Sequence, residues 1–166
     1  MRKLILLLIL AGLSWWYFDY SRRMTEAQVR EAYTLQIDAI QQFDAQRQCA
    51  QIADDFQGNQ VVRQGSQSIE KHYDKKGLCT LITHATEMAQ RMSAATGGML
   101  ELKVDIEIKS IELTTNRKQA TVQTVSTVRL GDMTLSRDRA TDQWIRRNGR
   151  VLVIGSDSKA WAYAPQ

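Results

Sequence analysis

The segment from residue 100 to residue 109 constrains the fold most, because apolar and charged side chains alternate strictly along it. A period of two residues places the two kinds of side chain on opposite faces of a β-strand, so this segment predicts a strand with one buried face. The phase slips at Ser110, which puts Ile111 and Leu113 on the apolar face, as a β-bulge requires. The apolar members of the alternation are Leu100, Leu102, Val104, Ile106 and Ile108.

Three turn signals divide the chain beyond this strand. They are Thr115-Asn116-Arg117, Gly131-Asp132 and Asn148-Gly149, and an Asn-Gly pair is the strongest short signal for a β-hairpin. Together they predict a four-stranded antiparallel meander, which would twist and curve around helices rather than lie flat. The predicted fold class is therefore α+β.

A capped helix is predicted to begin just after residue 24. Thr25-Glu26-Ala27-Gln28 has the form of a capping box, and Met24 and Val29 are placed to form a hydrophobic staple around it. Apolar residues then recur at steps of three and four, which predicts a helix with one face in the core. These residues are Val29, Tyr33, Ile37, Ile40 and Phe43.

A second, shorter helix is predicted after the first one. Asp44 can cap it, and it would run through Cys49 toward Phe56 and end at Gln57-Gly58-Asn59. The polar stretch from residue 60 to residue 68 that follows predicts a loop or a short strand.

Ser68 is predicted to cap a helical turn that Lys75-Lys76-Gly77 closes. A longer helix then follows, with an apolar side from Leu78 to Met92 and a stop at Thr96-Gly97-Gly98.

Residues 1–23 are predicted to be a membrane anchor or an uncleaved signal, and residues 24–166 a single α+β domain. Two cations precede an aliphatic run from Leu4 to Leu13, and an aromatic cluster that includes Trp15 and Trp16 follows it. Residues 4–20 would contact the membrane, although the fifteen residues from Leu4 to Phe18 span only about 22 Å as a helix and the hydrocarbon core is about 30 Å thick. A cleaved signal peptide is the competing interpretation, but no Ala-x-Ala site is present, and a buried amino-terminal helix is a third alternative.

The two cysteines, Cys49 and Cys79, follow this export-type segment. An even number of cysteines in that context predicts one structural disulfide in an oxidising compartment, and two buried free thiols are the alternative. His72 and His84 fit no zinc-ligand spacing, so no metal site and no cofactor are predicted.

The net charge of +4 lies mostly beside the amino-terminal segment. The four cations Arg2, Lys3, Arg22 and Arg23, together with Asp19, account for +3, which leaves 18 Lys and Arg against 17 Asp and Glu from residue 24 onward. A phosphate-binding surface should be basic on the folded domain itself, so we predict no nucleic-acid partner.

The carboxyl-terminal segment carries a resemblance to a known superfamily. The stretch from Gln143 to Ile154 combines a tryptophan, a basic pair, an Asn-Gly turn and an apolar strand, and it follows helices and a curved sheet. This order resembles the nuclear-transport-factor-two-like superfamily, a cone-shaped α+β fold, over residues 25–161. Asp44 and Asp54-Asp55 look like the acidic positions common in the first helices of its members.

That resemblance implies a fold and leaves the activity open, because its members include isomerases, dehydratases, ligand-binding modules and assembly domains. Several members carry histidines in the final strand, facing the cone interior. This chain has Ile154, Gly155 and Ser156 there, which weakens an enzymatic interpretation. No catalytic residue is predicted.

Four residues are candidates for ligand binding. His84 lies beside the apolar stripe of the long helix, and Tyr33 could face the cone interior. Arg137 and Arg139 share one strand face and would present two guanidinium groups to an anion if that face lined the cone. Trp144 and Ala140 occupy the alternate positions, which favours the outer face for the two arginines.

Two functions are consistent with these patterns. The first is a non-catalytic binding or assembly module, held on the inner membrane with its domain in the periplasm, joined to other envelope proteins and open to homo-oligomer formation. The superfamily includes a similar arrangement in the inner-membrane assembly subunit of type IV secretion machines. The second is an isomerase- or dehydratase-like enzyme, or a carrier, that uses the cone interior and requires a deep pocket with His84 or a carboxylate at its base.

Overall fold

A computed structural model describes residues 2–64, 67–95, 102–131 and 133–162. The chain begins with three helices, α1 (Arg2–Tyr20), α2 (Glu26–Gln41) and α3 (Ala45–Ala50). Strands β1 (Ile52–Gln64) and β2 (Gln67–Asp74) and the long helix α4 (Lys75–Ala95) follow. The second half is β3 (Leu102–Leu113), β4 (Gln119–Leu130), β5 (Met133–Arg147) and β6 (Arg150–Ala162).

The strands form one six-stranded sheet in the order β2-β1-β6-β5-β4-β3. The predicted meander is confirmed as β3 to β6, with antiparallel pairing throughout. The register of β3 against β4 shifts between Ile108 and Ser110, which is the predicted bulge. Asn148 and Gly149 have φ values of 51° and 76°, the left-handed pair that a tight hairpin turn requires. Asp132 lies outside the described residues.

The prediction of only four strands is wrong, because β1 and β2 form a further hairpin. β1 pairs with β2 antiparallel and with β6 parallel. The second predicted helix therefore ends at Ala50 instead of continuing toward Phe56, and the predicted helical turn after Ser68 is part of β2.

The sequence of β1 shows no alternation of apolar and polar residues, because its inward positions include Gly58 and Gln60 as well as Phe56. A side-chain carbon on Gly58 would lie 2.8 Å from the ring of Phe56, so the glycine makes room for that ring. Asp54 and Asp55 are exposed strand residues, contrary to the predicted helical positions. They pair with Lys75 at 2.7 Å and with Arg147 at 2.6 Å.

The helix starts are close to those predicted. Thr25 and Gln28 form a complete capping box around the start of α2, and Asp44 accepts a hydrogen bond from the backbone N–H of Arg47 at the start of α3. The prediction that Lys75-Lys76-Gly77 closes a helical turn is wrong, because helix α4 begins at Lys75 and its Gly77 N–H donates to Asp74 at 2.7 Å. The predicted stop at residues 96–98 lies outside the described residues.

The core lies between α2 and the face of the sheet that carries Val122 and Trp144, here called the inner face. Helix α2 packs against β3 and β6, whereas α4 packs against β1, β2 and α3. Cys49 on α3 and Cys79 on α4 form the predicted disulfide, with their Cα atoms 5.6 Å apart. The buried core cluster consists of Met24, Val29, Ala32, Tyr33, Ala120, Val122 and Trp144.

The last turn of helix α1 contacts Lys118, in the turn between β3 and β4. Asp19 contacts Lys118 at 2.7 Å and Arg23 at 2.6 Å, and these contacts lower the pKa of Asp19, with the Lys118 hydrogen bond as the largest cause. Trp15 is 81% exposed and Leu13 is 58% exposed. Among the described residues, no helix is both long enough and apolar enough to cross a membrane, so the transmembrane part of the fold prediction is not supported. The side chain of Leu4 lies outside the described part.

Candidate functional site in the cone interior

The inner face of the sheet changes from apolar to polar along the strands. Strand pairing places Asp142 between Val122 and Ser156, and it places Asp138 between Ser126 and Ala160. Because directly paired residues project from the same face, these two carboxyls share the inner face with Trp144. The inward-facing residues of these strands therefore form part of the packed core and also a polar wall.

Two adjoining cavities, together called the cone interior, lie between this wall and helices α2 and α4. The first has a volume of about 220 Å³ and the second about 260 Å³. Tyr73, Asp138 and Ser158 line only the first, whereas Gln51 and Trp144 line only the second. The two cavities lie side by side, because both are lined by Gln36, Phe56, Leu78, Asp142 and Ser156.

Asp142 lines both cavities, and each of its carboxylate oxygens accepts a hydrogen bond. The Tyr33 hydroxyl donates to one carboxylate oxygen at 2.6 Å, and the Ser156 hydroxyl donates to the other at 2.7 Å. The Trp144 indole N–H donates to the Tyr33 oxygen at 3.1 Å, and the two rings meet edge to face at 5.0 Å. This series of hydrogen bonds connects α2 to β5 and β6 through the core.

Burial and hydrogen bonding shift the pKa values of Asp142 and Tyr33. Burial raises the pKa of Asp142, while the hydrogen bonds from Tyr33 and Ser156 oppose that rise. Burial, followed by the charge of Asp142, raises the pKa of Tyr33, so its hydroxyl stays protonated and donates. Asp142 therefore has a structural role, with both oxygens already occupied.

Asp138 differs from Asp142 because one of its oxygens has no partner. Its Oδ1 atom is buried and makes no hydrogen bond to any described residue. Burial, helped by the nearby charge of Asp142, raises the pKa of Asp138 to about 6. A buried acceptor without a donor costs free energy, about 1–3 kcal/mol in typical proteins, and in a cavity wall it is a natural contact for a ligand.

Asp138→Asn should stabilise the protein above about pH 6 and change its stability little below pH 3.8, the ordinary value for an aspartate. Because the folded state holds the Asp138 proton more tightly than the unfolded state, the wild-type protein loses stability as pH rises through this window. The amide does not ionise and avoids that loss. Urea denaturation across the window measures the difference.

Asp105→Asn is the matched control, because Asp105 is exposed on the opposite face of the sheet. A stability difference for Asp138→Asn that is independent of pH, or one shared by Asp105→Asn, would contradict the assignment.

The structure separates the four predicted ligand-binding residues. Tyr33 lines the first cavity. Arg137 and Arg139 are exposed on the outer face, the side of the sheet opposite Trp144, where the Arg139 guanidinium lies 6.0 Å from the ring centre of Trp161. His84 is exposed on α4 and lines neither cavity.

Sequence reasoning missed Asp138 and Asp142. The signal was present, because the alternation that places Ala140 and Trp144 on one face also includes both carboxyls. Among the residues that the structure describes, no group of three potential metal ligands is close enough to hold an ion.

The fold of this chain is similar to that of several solved structures. No family model matches the sequence, and no curated protein matches it. An NTF2-like protein of unknown function from Pseudomonas putida matches with a TM-score of 0.56 and 17% identity, over 81% of this chain and 84% of that one. The chain has the NTF2-like fold, which is the nuclear-transport-factor-two-like fold that the sequence predicts.

Other structures with this fold differ in their assigned activities. A protein assigned as a scytalone dehydratase, from Novosphingobium aromaticivorans, matches with a TM-score of 0.57 and 8% identity over 84% of this chain and 88% of its own. The β subunit assigned to an aromatic-ring-hydroxylating dioxygenase of the same organism matches with a TM-score of 0.56 and 12% identity, over 85% and 92%. At these identities the likeness concerns the fold, and the site must be argued from this chain's own residues.

Proposed function

We propose that the cone interior binds a small organic molecule that donates a hydrogen bond to Asp138. The observation that carries this proposal is the unpaired, buried Oδ1 atom of Asp138 in the wall of a cavity. Apolar and aromatic side chains with a few convergent polar groups are the usual lining of a small-molecule site. Phe56, Leu78 and Tyr73 supply the first kind of contact here, and Asp138 supplies the second.

This proposal develops the enzyme-or-carrier interpretation of the sequence, with a carboxylate in place of His84. An aspartate with a pKa of about 6 can accept and return a proton near neutral pH. Isomerase- or dehydratase-like chemistry would use Asp138 in that way. A carrier would use it only to hold the ligand.

Small molecules of matched size should raise the melting temperature of the wild-type protein when they enter the cone. Cyclohexanol, cyclohexylamine and cyclohexanecarboxylate serve as uncharged, cationic and anionic probes. At least one probe should stabilise the wild type. Ala140→Leu should abolish that effect, because the larger side chain would occupy part of the first cavity. The measurement is the thermal unfolding midpoint at several probe concentrations.

Thr141→Leu is the control, since Thr141 pairs with Gln123 and Asp157 on the outer face. Ser158→Leu is a second blocking variant in case the first folds poorly, which circular dichroism would reveal. Equal stabilisation of the blocked and control variants would refute binding in the cone, and so would no stabilisation by any probe.

Helix α1 favours a second function, that of a module held at a membrane. Its apolar side chains are exposed, including Trp16 at 65% and Tyr17 at 68%. Aromatic side chains of this kind partition to the interface between lipid and water. The disulfide between Cys49 and Cys79 supports a periplasmic or equivalent oxidising location for the domain. On this proposal α1 presents the domain to other envelope proteins.

Sedimentation with lipid vesicles tests the membrane contact. The full chain should pellet with neutral phosphatidylcholine vesicles, and a Trp15→Ser, Trp16→Ser double variant should pellet markedly less. Trp161→Ser is the control, because Trp161 lies on β6, outside α1. Equal sedimentation of all three proteins would exclude α1 as the membrane contact.

A further inference from the structure

We infer that the ligand of the cone is an organic cation, a protonated amine with a second hydrogen-bond donor at its other end. This inference rests on the proposed small-molecule site and adds the charge and the donor pattern of the ligand. It is carried by the charges that line the two cavities and by the acceptor atoms left without donors.

The charged groups of the cavity wall all have one sign. Asp138 and Asp142 line the cavities, and no lysine, arginine or histidine does so among the described residues. The exposed cations Arg137 and Arg139 lie on the outer face, where they do not reach the interior. An anionic ligand would therefore face two carboxyl groups with no compensating cation, and burying an uncompensated charge is costly.

Among the described residues, two buried side-chain atoms of the wall make no hydrogen bond, and both are acceptors. One is Oδ1 of Asp138 in the first cavity, and the other is Oε1 of Gln51, which lines the second. Asp142 needs no further donor, because Tyr33 and Ser156 already donate to its two oxygens. A buried acceptor is satisfied only by a donor, and an ammonium group offers three donors and no acceptor.

The positions of these two acceptors imply a ligand with donors at both ends. The cavities share Asp142 and Ser156 in their walls, and we place one extended molecule across both. An ammonium beside Asp138 would form a charge-assisted hydrogen bond, which is about twice as strong as a neutral one. A second donor would reach Gln51. Aromatic rings in the same walls, those of Tyr73 and Trp144, add favourable surroundings for a cation.

Isothermal titration of four unbranched four-carbon compounds tests the inference. They are putrescine, with a cationic amine at each end, and n-butylamine, n-butanol and butyrate, which carry one cation, no charge and one anion. We expect putrescine to bind about tenfold more tightly than n-butylamine because of its second donor. Butanol should bind more weakly than butylamine, and butyrate should show no binding.

Asp138→Asn should weaken amine binding by at least about tenfold, since it removes one partner of a buried charge pair. The control Asp105→Asn changes an exposed carboxylate on the outer face and should leave amine binding unchanged. Gln51→Leu should reduce the affinity for putrescine and leave that for butylamine nearly unchanged.

The outcomes distinguish this inference from the proposal on which it rests. Binding of butanol or butyrate as tight as that of butylamine, sensitive to Ala140→Leu, would overturn the cationic ligand and leave the small-molecule site standing. Equal affinities for putrescine and butylamine would overturn the second donor. If none of the four compounds binds and the cyclic probes also fail, both proposals are wrong.

Discussion

Trp144→Ala should lower the free energy of unfolding by about 3–5 kcal/mol, the usual cost of removing a large buried aromatic side chain. Trp144 is 1% exposed and packs edge to face against Tyr33. Its loss would leave a void in the core and remove the donor to the Tyr33 hydroxyl. Urea denaturation followed by far-ultraviolet circular dichroism measures the change.

Two further variants separate packing from hydrogen bonding. Trp144→Phe keeps most of the buried surface and loses the indole N–H, so we expect a smaller loss, about 1–2 kcal/mol. Trp161→Ala removes a half-exposed tryptophan on the outer face and should cost less than Trp144→Ala. Similar losses at Trp144 and Trp161 would show that the core is not centred between α2 and the inner face.

Replacement of both Cys49 and Cys79 by serine should cost about 3–4 kcal/mol, because the disulfide closes a 30-residue interval and so restricts the unfolded chain. Helix α4 depends on this bond more than α2 does, since no described residue of α4 is buried. Met88 is 64% exposed and Leu81 is 43% exposed. The disulfide fastens the first turns of α4 to α3.

The measurement is the urea midpoint with and without dithiothreitol. Reduction should destabilise the wild-type protein by about as much as the double substitution does, and it should leave the double variant unchanged. A wild-type midpoint that does not move on reduction would show that the two thiols are free. Because α4 forms one wall of both cavities through Leu78, loss of the disulfide should also weaken ligand binding in the cone.

The second half of the fold could be predicted because its signals are local. Strict alternation marks β3, and the turn of Asn148 and Gly149 has the left-handed backbone that its sequence favours. The capping box at Thr25 depends only on residues three apart, and it forms as predicted. The count of cysteines and their context favoured a disulfide over two free thiols, and the structure contains the disulfide.

Strands β1 and β2 could not be predicted because their stability comes from distant partners. β1 pairs in parallel with β6, about a hundred residues later, and its polar side chains give no alternation of their own. The same dependence explains the candidate site. Tyr33, Asp142 and Ser156 come from α2, β5 and β6, and only the packing of the helix on the sheet brings them together.

The sequence by itself determined the phase of β3, the starts of α2 and α3 and the Asn148-Gly149 turn, since each of these depends on short-range sterics. It also determined that Asp138, Ala140, Asp142 and Trp144 share a face. Only the tertiary structure decided which of these groups are buried and which have partners. Two carboxyls four residues apart on one strand differ because Tyr33 and Ser156 donate to Asp142, while no described residue donates to the buried oxygen of Asp138.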